Sequence, residues 1–275
     1  CAPLLCSPLS AAAQLLQAQD GVEVAVVCNR SEESSQRVAE EFSIPRIASK
    51  WTDIVTDPDI DAIVIGTWPY THKTMVIAAL QNDKHVMTEA RMAMNAAEAR
   101  CMLDASLAKP GLVAQVVPAP ITLFADAIIQ RFIAEGFLGQ LLAVESRIRG
   151  DFLDSESPMH WRQNRELSGN NILALGIYYE AIMRWVGPAT RVAAIGKTFV
   201  PTRLDDSGTA QAMQIPDHLE IIAEMSCGAT LHLQISNVLG HGTSGTTIYG
   251  TEGTLRIGSN QLLGGKRNET KLKPV

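Results

Sequence analysis

The chain has 275 residues, of which 46% are apolar and 19% charged, and a net charge of -6. That apolar content supplies one large core or two ordinary ones and excludes a disordered chain, while the mild acidity excludes a general attraction to phosphate backbones or anionic membranes. No run of about 18 uncharged apolar residues occurs, so no spanning helix is expected, and neither nucleic acid nor membrane is expected as a partner.

The five cysteines, Cys1, Cys6, Cys28, Cys101 and Cys227, are scattered and lack Cys-x-x-Cys or histidine-rich company. This points to reduced thiols in a cytoplasmic setting. The chain opens on Cys1 with no initiator Met, so a targeting segment ahead of it would be the exception to that reading.

In chain order, Ser7 to Gln19 ("SPLSAAAQLLQAQ") has helical apolar spacing, and Gly21 to Asn29 ("GVEVAVVCN") reads as a strand bounded by Gly and Asn. Ser31 to Phe42 is a polar helix opened by Ser31, Ile60 to Thr67 a buried strand, Thr71 to Gln81 a helix and His85 to Glu89 a strand. Asn95 to Leu107 follows as a helix capped by Asn95, then Leu112 to Val117 as a strand. Short apolar strands alternating with helices of ten to thirteen residues make βαβ units and a parallel sheet covered by helices. Residues 1–117 are therefore expected to form half of a doubly wound α/β domain.

Beyond "PAP" at Pro118 to Pro120 the pattern changes. One long helix, Ile121 to Glu135, precedes alternating strands at Leu141 to Gly150, Arg191 to Phe199, His218 to Ser226, Ala229 to Asn237 and Gly245 to Thr251, interrupted by a helix at Asn171 to Trp185. Residues 118–275 are expected to form a second, α+β domain on a mostly antiparallel open sheet. There is no internal repeat and no low-complexity tract.

Five phrases in order resemble the Gfo/Idh/MocA oxidoreductases, named after glucose-fructose oxidoreductase, inositol dehydrogenase and rhizopine catabolism. They are "GTWPYTH" with Pro69 and His72, "DKHVMTEAR" at Asp83 to Arg91, "EGFLG" at Glu135 to Gly139, "WRQNRELSGNNILALGIYYE" at Trp161 to Glu180, and "YGTEGTL" at Tyr249 to Leu255. The resemblance implies an N-terminal Rossmann domain that binds a nicotinamide cofactor. It also implies a C-terminal domain that binds substrate and whose open sheet joins copies into a homodimer or homotetramer.

The resemblance also assigns site residues. Thr67, Trp68, Pro69, His72, Glu89 and Trp161 fall in the cofactor-binding motifs; His160, Arg162, Asn170 and Asn171 fall where substrate is positioned. The family's Glu-Lys-Pro lies on Glu89, Ala90 and Arg91, so its lysine is replaced by a methyl group. Arg91 is no simple substitute, because adjacent side chains on an extended segment point to opposite faces. The family's Asp, His and second Asp lie on Ala174, Tyr178 and Ala181. Tyrosine at the middle position is the proton donor of the glucose-fructose oxidoreductase and dihydrodiol dehydrogenase branches, which makes Tyr178 and Glu89 the candidate catalytic residues. Ala174 and Ala181 are expected to leave room for a ligand beside Tyr178. The family's first strand and GxGxxG turn are expected ahead of the helix at Ser7 to Gln19, where residues 1–20 hold neither, and its last helix beyond the present C-terminus.

At the end of the Gly21 to Asn29 strand, Asn29, Arg30 and Ser31 stand where an acidic residue would hold the adenosine ribose of NAD(H). An Arg and hydroxyls suit a 2′-phosphate, so NADP(H) is favoured, with NAD(H) as the alternative. A solvated helix start with Ser31 as its cap is the other reading of these residues. Asn170 and Asn171 likewise either face sugar hydroxyls or cap the following helix, and the Trp161–Arg162 pair either lies near the nicotinamide or is simple packing. No histidine pair has metal-ligand spacing, so no metal is expected. Two functions remain in view: an NADP(H)- or NAD(H)-dependent oxidoreductase acting on a sugar, polyol or related cyclic alcohol through Tyr178, and a catalytically silent relative that binds a ligand or cofactor.

Overall fold

In the computed structural model, which describes residues 8–118, 122–150, 156–258 and 260–275, the chain divides into two compact units, Cys1–Val117 and Pro118–Val275. Cys1, Cys6, Ser7, Pro120 and Ile121 of the sequence reading lie outside the described residues.

The first unit alternates helix and strand: α1 (Pro8–Gln17), β1 (Val26–Val27), α2 (Glu32–Phe42), β2 (Arg46–Ile47), α3 (Trp51–Val55), β3 (Ala62–Ile65), α4 (Pro69–Gln81), β4 (His85–Thr88), α5 (Ala96–Leu107) and β5 (Ala114–Val116). The helices start where side chains close their open N–H groups. Ser31 accepts from the Ser34 amide ahead of α2, and Asn95 accepts from the Glu98 amide ahead of α5. Pro69 opens α4, where a missing N–H is harmless.

Among the described residues all pairing in this unit is parallel: β1 with β2, β3 with β4, and β4 with β5. Buried Ile65, Val76, Leu80, Val86 and Met102 form one core, and Val38, Ala39 and Ile44 a smaller one. The expected strand over Gly21 to Asn29 shortens to two paired residues. Its neighbour β2 supplies a ladder of only two residues, and Val24 and Val26, together with Ile63 and Val64 of β3, border an apolar cavity of about 610 Å³.

The second unit opens with α6 (Leu123–Ala134) and β6 (Leu141–Arg149), followed by a 3-10 turn (Trp161–Gln163), α7 (Arg165–Ser168) and α8 (Leu175–Val186). Strands β7 (Ala189–Lys197), β8 (Thr202–Leu204), β9 (Ala210–Ala212), β10 (His218–Met225), β11 (Thr230–Ser236), β12 (Gly245–Gly250), β13 (Gly253–Ile257), β14 (Leu262–Lys266) and β15 (Lys273–Pro274) complete it. Together with β6, seven of them form one sheet in the order β15-β14-β13-β12-β6-β11-β10-β7, and β8 pairs with β9 apart from it. The sheet is antiparallel except between β6 and β11. Its period-two alternation is visible in β11, where Leu231, Leu233 and Ile235 are buried. They join Ile129 of α6 and Ile182 of α8 in the main core, each fully buried aliphatic contributing about 2 kcal/mol.

The "EGFLG" and "YGTEGTL" motifs meet here. The Leu138 carbonyl accepts from the Glu252 amide at 2.9 Å and the Gln140 carbonyl from the Thr251 amide at 2.9 Å. A Cβ at Gly250 would fall on the Leu138 carbonyl, and one at Gly253 would crowd the Phe137 carbonyl. Both glycines are therefore required by close backbone approach. Gly250→Ala should lower stability by about 2 kcal/mol through overpacking, read from the denaturant midpoint at unchanged slope.

The helix expected from Asn171 begins only at Leu175. Leu173 takes a left-handed φ of 45°, and the Asn171 side-chain amide donates back to the Ser168 carbonyl. A short turn thus occupies what the apolar pattern suggested was helix.

Candidate active site

In the first unit the candidate residues gather at the carboxyl ends of the parallel strands, where ligands of open α/β sheets bind. Asn29, Arg30 and Ser31 follow β1; Thr67, Trp68 and Pro69 link β3 to α4; Glu89 follows β4. The Arg30 guanidinium lies 5.1 Å from the centre of the Trp68 ring. This contact joins the ends of β1 and β3 and presents a flat aromatic face with a cation beside it.

Asn29 and Ser31 are engaged locally. The Asn29 side chain donates to the Ser34 carbonyl at 3.0 Å, and the Ser31 hydroxyl is the α2 cap. Of the three residues, Arg30 is the one whose side chain reaches across to β3. Ser31→Ala should cost about 1 kcal/mol of stability, the value of a lost N-cap, as a lowered thermal midpoint.

His72 is 1% exposed. Its Nε2 lies 2.9 Å from the Thr67 carbonyl and its Nδ1 3.0 Å from the Arg91 carbonyl. The ring therefore acts as a tie between the loop after β3 and the segment after β4, which corrects the expectation that it lines the cleft itself. It sets the backbone on which Trp68 and Glu89 stand. Pro69 is buried as well, and the Thr67 hydroxyl meets that of Thr71 at 2.6 Å. The Glu89 amide donates to the Ile65 carbonyl, and among the described residues its carboxylate has no ion-pair or hydrogen-bond partner. The Ala90–Arg91 peptide is cis.

In the second unit, His160 caps the 3-10 turn, its Nδ1 accepting from the Arg162 amide at 3.2 Å while Gln163 closes the reciprocal bond at 2.9 Å. Arg162 stacks 4.2 Å over the Trp161 ring, and the His160 and Trp161 rings sit 5.6 Å apart. These three residues form one stacked group. Asn170 is exposed. Neither it nor Asn171 caps α8, whose N-cap is Ala174 without a side-chain bond; the capping alternative is thereby removed.

Tyr178 stands on the first turns of α8, packed against the main core, and burial raises its phenol above the usual tyrosine value. Among the described residues nothing hydrogen-bonds its hydroxyl. The neighbouring Tyr179 hydroxyl instead accepts from the Ala189 amide at 2.9 Å. Ala181 is 1% exposed and closed into the core, so it leaves no notch beside Tyr178, contrary to the expectation from its size.

A network missed in the sequence anchors this helix. Asp126 of α6 accepts from Arg184 Nε at 2.9 Å and from Trp185 Nε1 at 2.8 Å. Arg184 also reaches Glu180 and the Thr122 hydroxyl. The signal available was a lone carboxylate in the apolar run "LFADAIIQRF", since a buried charge requires a partner.

Two family models match: the Gfo/Idh/MocA oxidoreductase family, NAD-binding Rossmann fold, over residues 9–116, and the Gfo/Idh/MocA C-terminal domain over residues 127–256. The chain belongs to the Gfo/Idh/MocA family. Among its relatives, levoglucosan dehydrogenase of Pseudarthrobacter phenanthrenivorans is 29% identical over 68% of this chain and 49% of its own length. The trans-1,2-dihydrobenzene-1,2-diol dehydrogenase of Bos taurus is 27% identical over 86% of this chain and 66% of its own length. The chain thus spans about half of the first relative and two thirds of the second. A solved levoglucosan dehydrogenase in complex with NADH and L-sorbose superposes with a TM-score of 0.86 at 22% identity, covering 97% of this chain and 75% of that one. That likeness establishes the fold common to this Gfo/Idh/MocA member and its relatives. No helix among the described residues is long and apolar enough to cross a membrane.

Proposed function

We propose that the protein is a nicotinamide-dependent oxidoreductase of sugar-like substrates, with residues 1–117 holding the dinucleotide and residues 118–275 the substrate. The observation that carries this reading is Arg30 lying over Trp68 at the ends of two parallel strands. An aromatic face suits an adenine, and the guanidinium suits a 2′-phosphate, which favours NADP(H) over NAD(H). Thr67, Pro69 and Glu89 stand along the same strand ends and would border the rest of the cofactor.

When bound, the nicotinamide supplies the hydride chemistry. The second unit's own part is to exchange a proton at the Tyr178 hydroxyl and to position a polyhydroxylated ring through Arg162, His160, Asn170 and Asn171. The names of the relatives, acting on levoglucosan or a dihydrodiol, support a ring bearing neighbouring hydroxyls. The free Cys28, Cys101 and Cys227 support a cytoplasmic setting. The open face of the sheet, with exposed Ile195 and Ile222 beside the Arg191–Glu224 ion pair, supports self-association into a dimer or tetramer.

The test is equilibrium binding of NADPH and NADH to the full-length protein, followed by turnover on a panel of sugars and polyols. Arg30→Ala should weaken NADPH about tenfold and NADH much less, the loss expected for one charge-assisted contact. Dinucleotide binding without turnover on any substrate would favour the silent relative, for which Ala90 in the lysine position is the motivating residue.

A further inference from the structure

We propose that a second copy of this chain docks on the free edge of β7, the two β7 strands pairing antiparallel about a two-fold axis at Ala193 so that their sheets run on as one. This deepens the self-association proposed above, on which it rests, by assigning the strand that carries it.

β7 differs from the other long strands of its sheet. Among the described residues it pairs with β10 alone, so the backbone N–H and C=O groups of alternate residues point away from its other edge without a ladder partner. Strands β6 and β11 bury alternate residues, whereas all eight residues of β7 after Ala189 are exposed. Val192 is 67% and Ile195 63% exposed, and these two point to opposite faces. The strand therefore stands clear of the core on both faces. Edges of this kind are blunted in monomers by proline, by bulges or by charged side chains. Residues 190–197 contain no proline, and the register irregularity lies at the Ala189 end. The charge of Arg191 is taken up by Glu224 of β10, which accepts from its Nε at 2.7 Å.

A row of alternating donors and acceptors is met in full by another extended strand, and β7 suits its own reverse. Ala193 is the middle of the nine residues, so a register centred there pairs the whole strand. Arg191 then lies opposite Ile195 and Val192 opposite Ala194, giving an aliphatic pair on one face and no opposed like charges on the other. Centring on Ala194 instead would set Arg191 against Lys197. The two-fold arrangement uses each edge once and closes at this contact.

The tests are light scattering of the full-length protein over a range of concentrations and oxidative cross-linking of single cysteines placed along β7. Wild type should self-associate. Ala193→Lys sets two ammonium groups opposite each other and should raise the dissociation constant about tenfold, while the neutral Ala193→Thr leaves it near wild type. Because the position is exposed, both variants should keep the wild-type thermal midpoint of the monomer. Ala193→Cys should yield a covalent dimer on mild oxidation, since directly opposite residues fall within disulfide reach. Val192→Cys and Ala194→Cys, whose copies lie a diagonal apart at about 7 to 8 Å, should not. Wild type oxidised in parallel controls for the native thiols. A dimer that survives Ala193→Lys and shows no Ala193→Cys cross-link overturns the edge assignment and leaves self-association through the open face. A monomer at every concentration overturns both.

Discussion

Tyr178→Phe should lower kcat roughly a hundredfold on any substrate the protein turns over, the range of a positioned acid–base group, with dinucleotide affinity unchanged. The same substitution should leave stability within about 0.5 kcal/mol of wild type, because the hydroxyl makes no hydrogen bond within the described residues and its ring contacts with the core persist. A phenylalanine would pack equally well at this position. On the proposed reading the oxygen serves the chemistry, and the decisive measurement is a steady-state assay beside a denaturation curve. A large stability loss, or wild-type kcat, would contradict the assignment. Since burial raises the phenol of Tyr178 in the folded state, the unfolded chain ionises first as pH rises past about 10, and stability falls from there up to the folded value.

Asp126→Ala should destabilise the second unit by about 3 kcal/mol. The carboxylate is largely buried, its side chain 12% exposed, and it accepts from both Arg184 and Trp185. Removing it strands an indole N–H and takes the α6 carboxylate away from the guanidinium. Asp126→Asn keeps an acceptor for Trp185 and should cost less than half as much. Chemical denaturation of the two variants in parallel separates loss of charge from loss of the hydrogen bond. Because Arg184 and Trp185 lie on the helix that carries Tyr178, Asp126→Ala should also lower kcat by moving that hydroxyl, with less effect on dinucleotide binding.

The sequence made the alternation of helix and strand legible because each element carries its own signal. Ser31 and Asn95 cap the helices they precede, and the apolar runs of β3, β4 and β11 need no tertiary knowledge to recognise. The motif glycines were also legible, and the structure supplies their reason in the contact between the Leu138 carbonyl and Gly250. Nonlocal contacts were not legible. The Arg30–Trp68 stack spans 38 positions of chain, and the Asp126 network joins two helices separated by the whole of β6. The late start of α8 was hidden because Leu173 adopts a backbone conformation that aliphatic residues seldom take. The role of His72 was misplaced for a related reason. A motif position reports that a residue matters, whereas burial and partners report whether it touches ligand or holds the loop that does.

The position of β6 has a consequence for how the protein is made. This strand is synthesised before the rest of its sheet, yet both of its neighbours, β11 and β12, come from residues beyond 229. A nascent chain therefore carries an unpaired central strand until residues 230–250 have left the ribosome, and the second unit cannot assemble its sheet progressively during translation. Slow growth between β6 and β12 would prolong the interval in which chaperones, or aggregation, compete for that exposed edge.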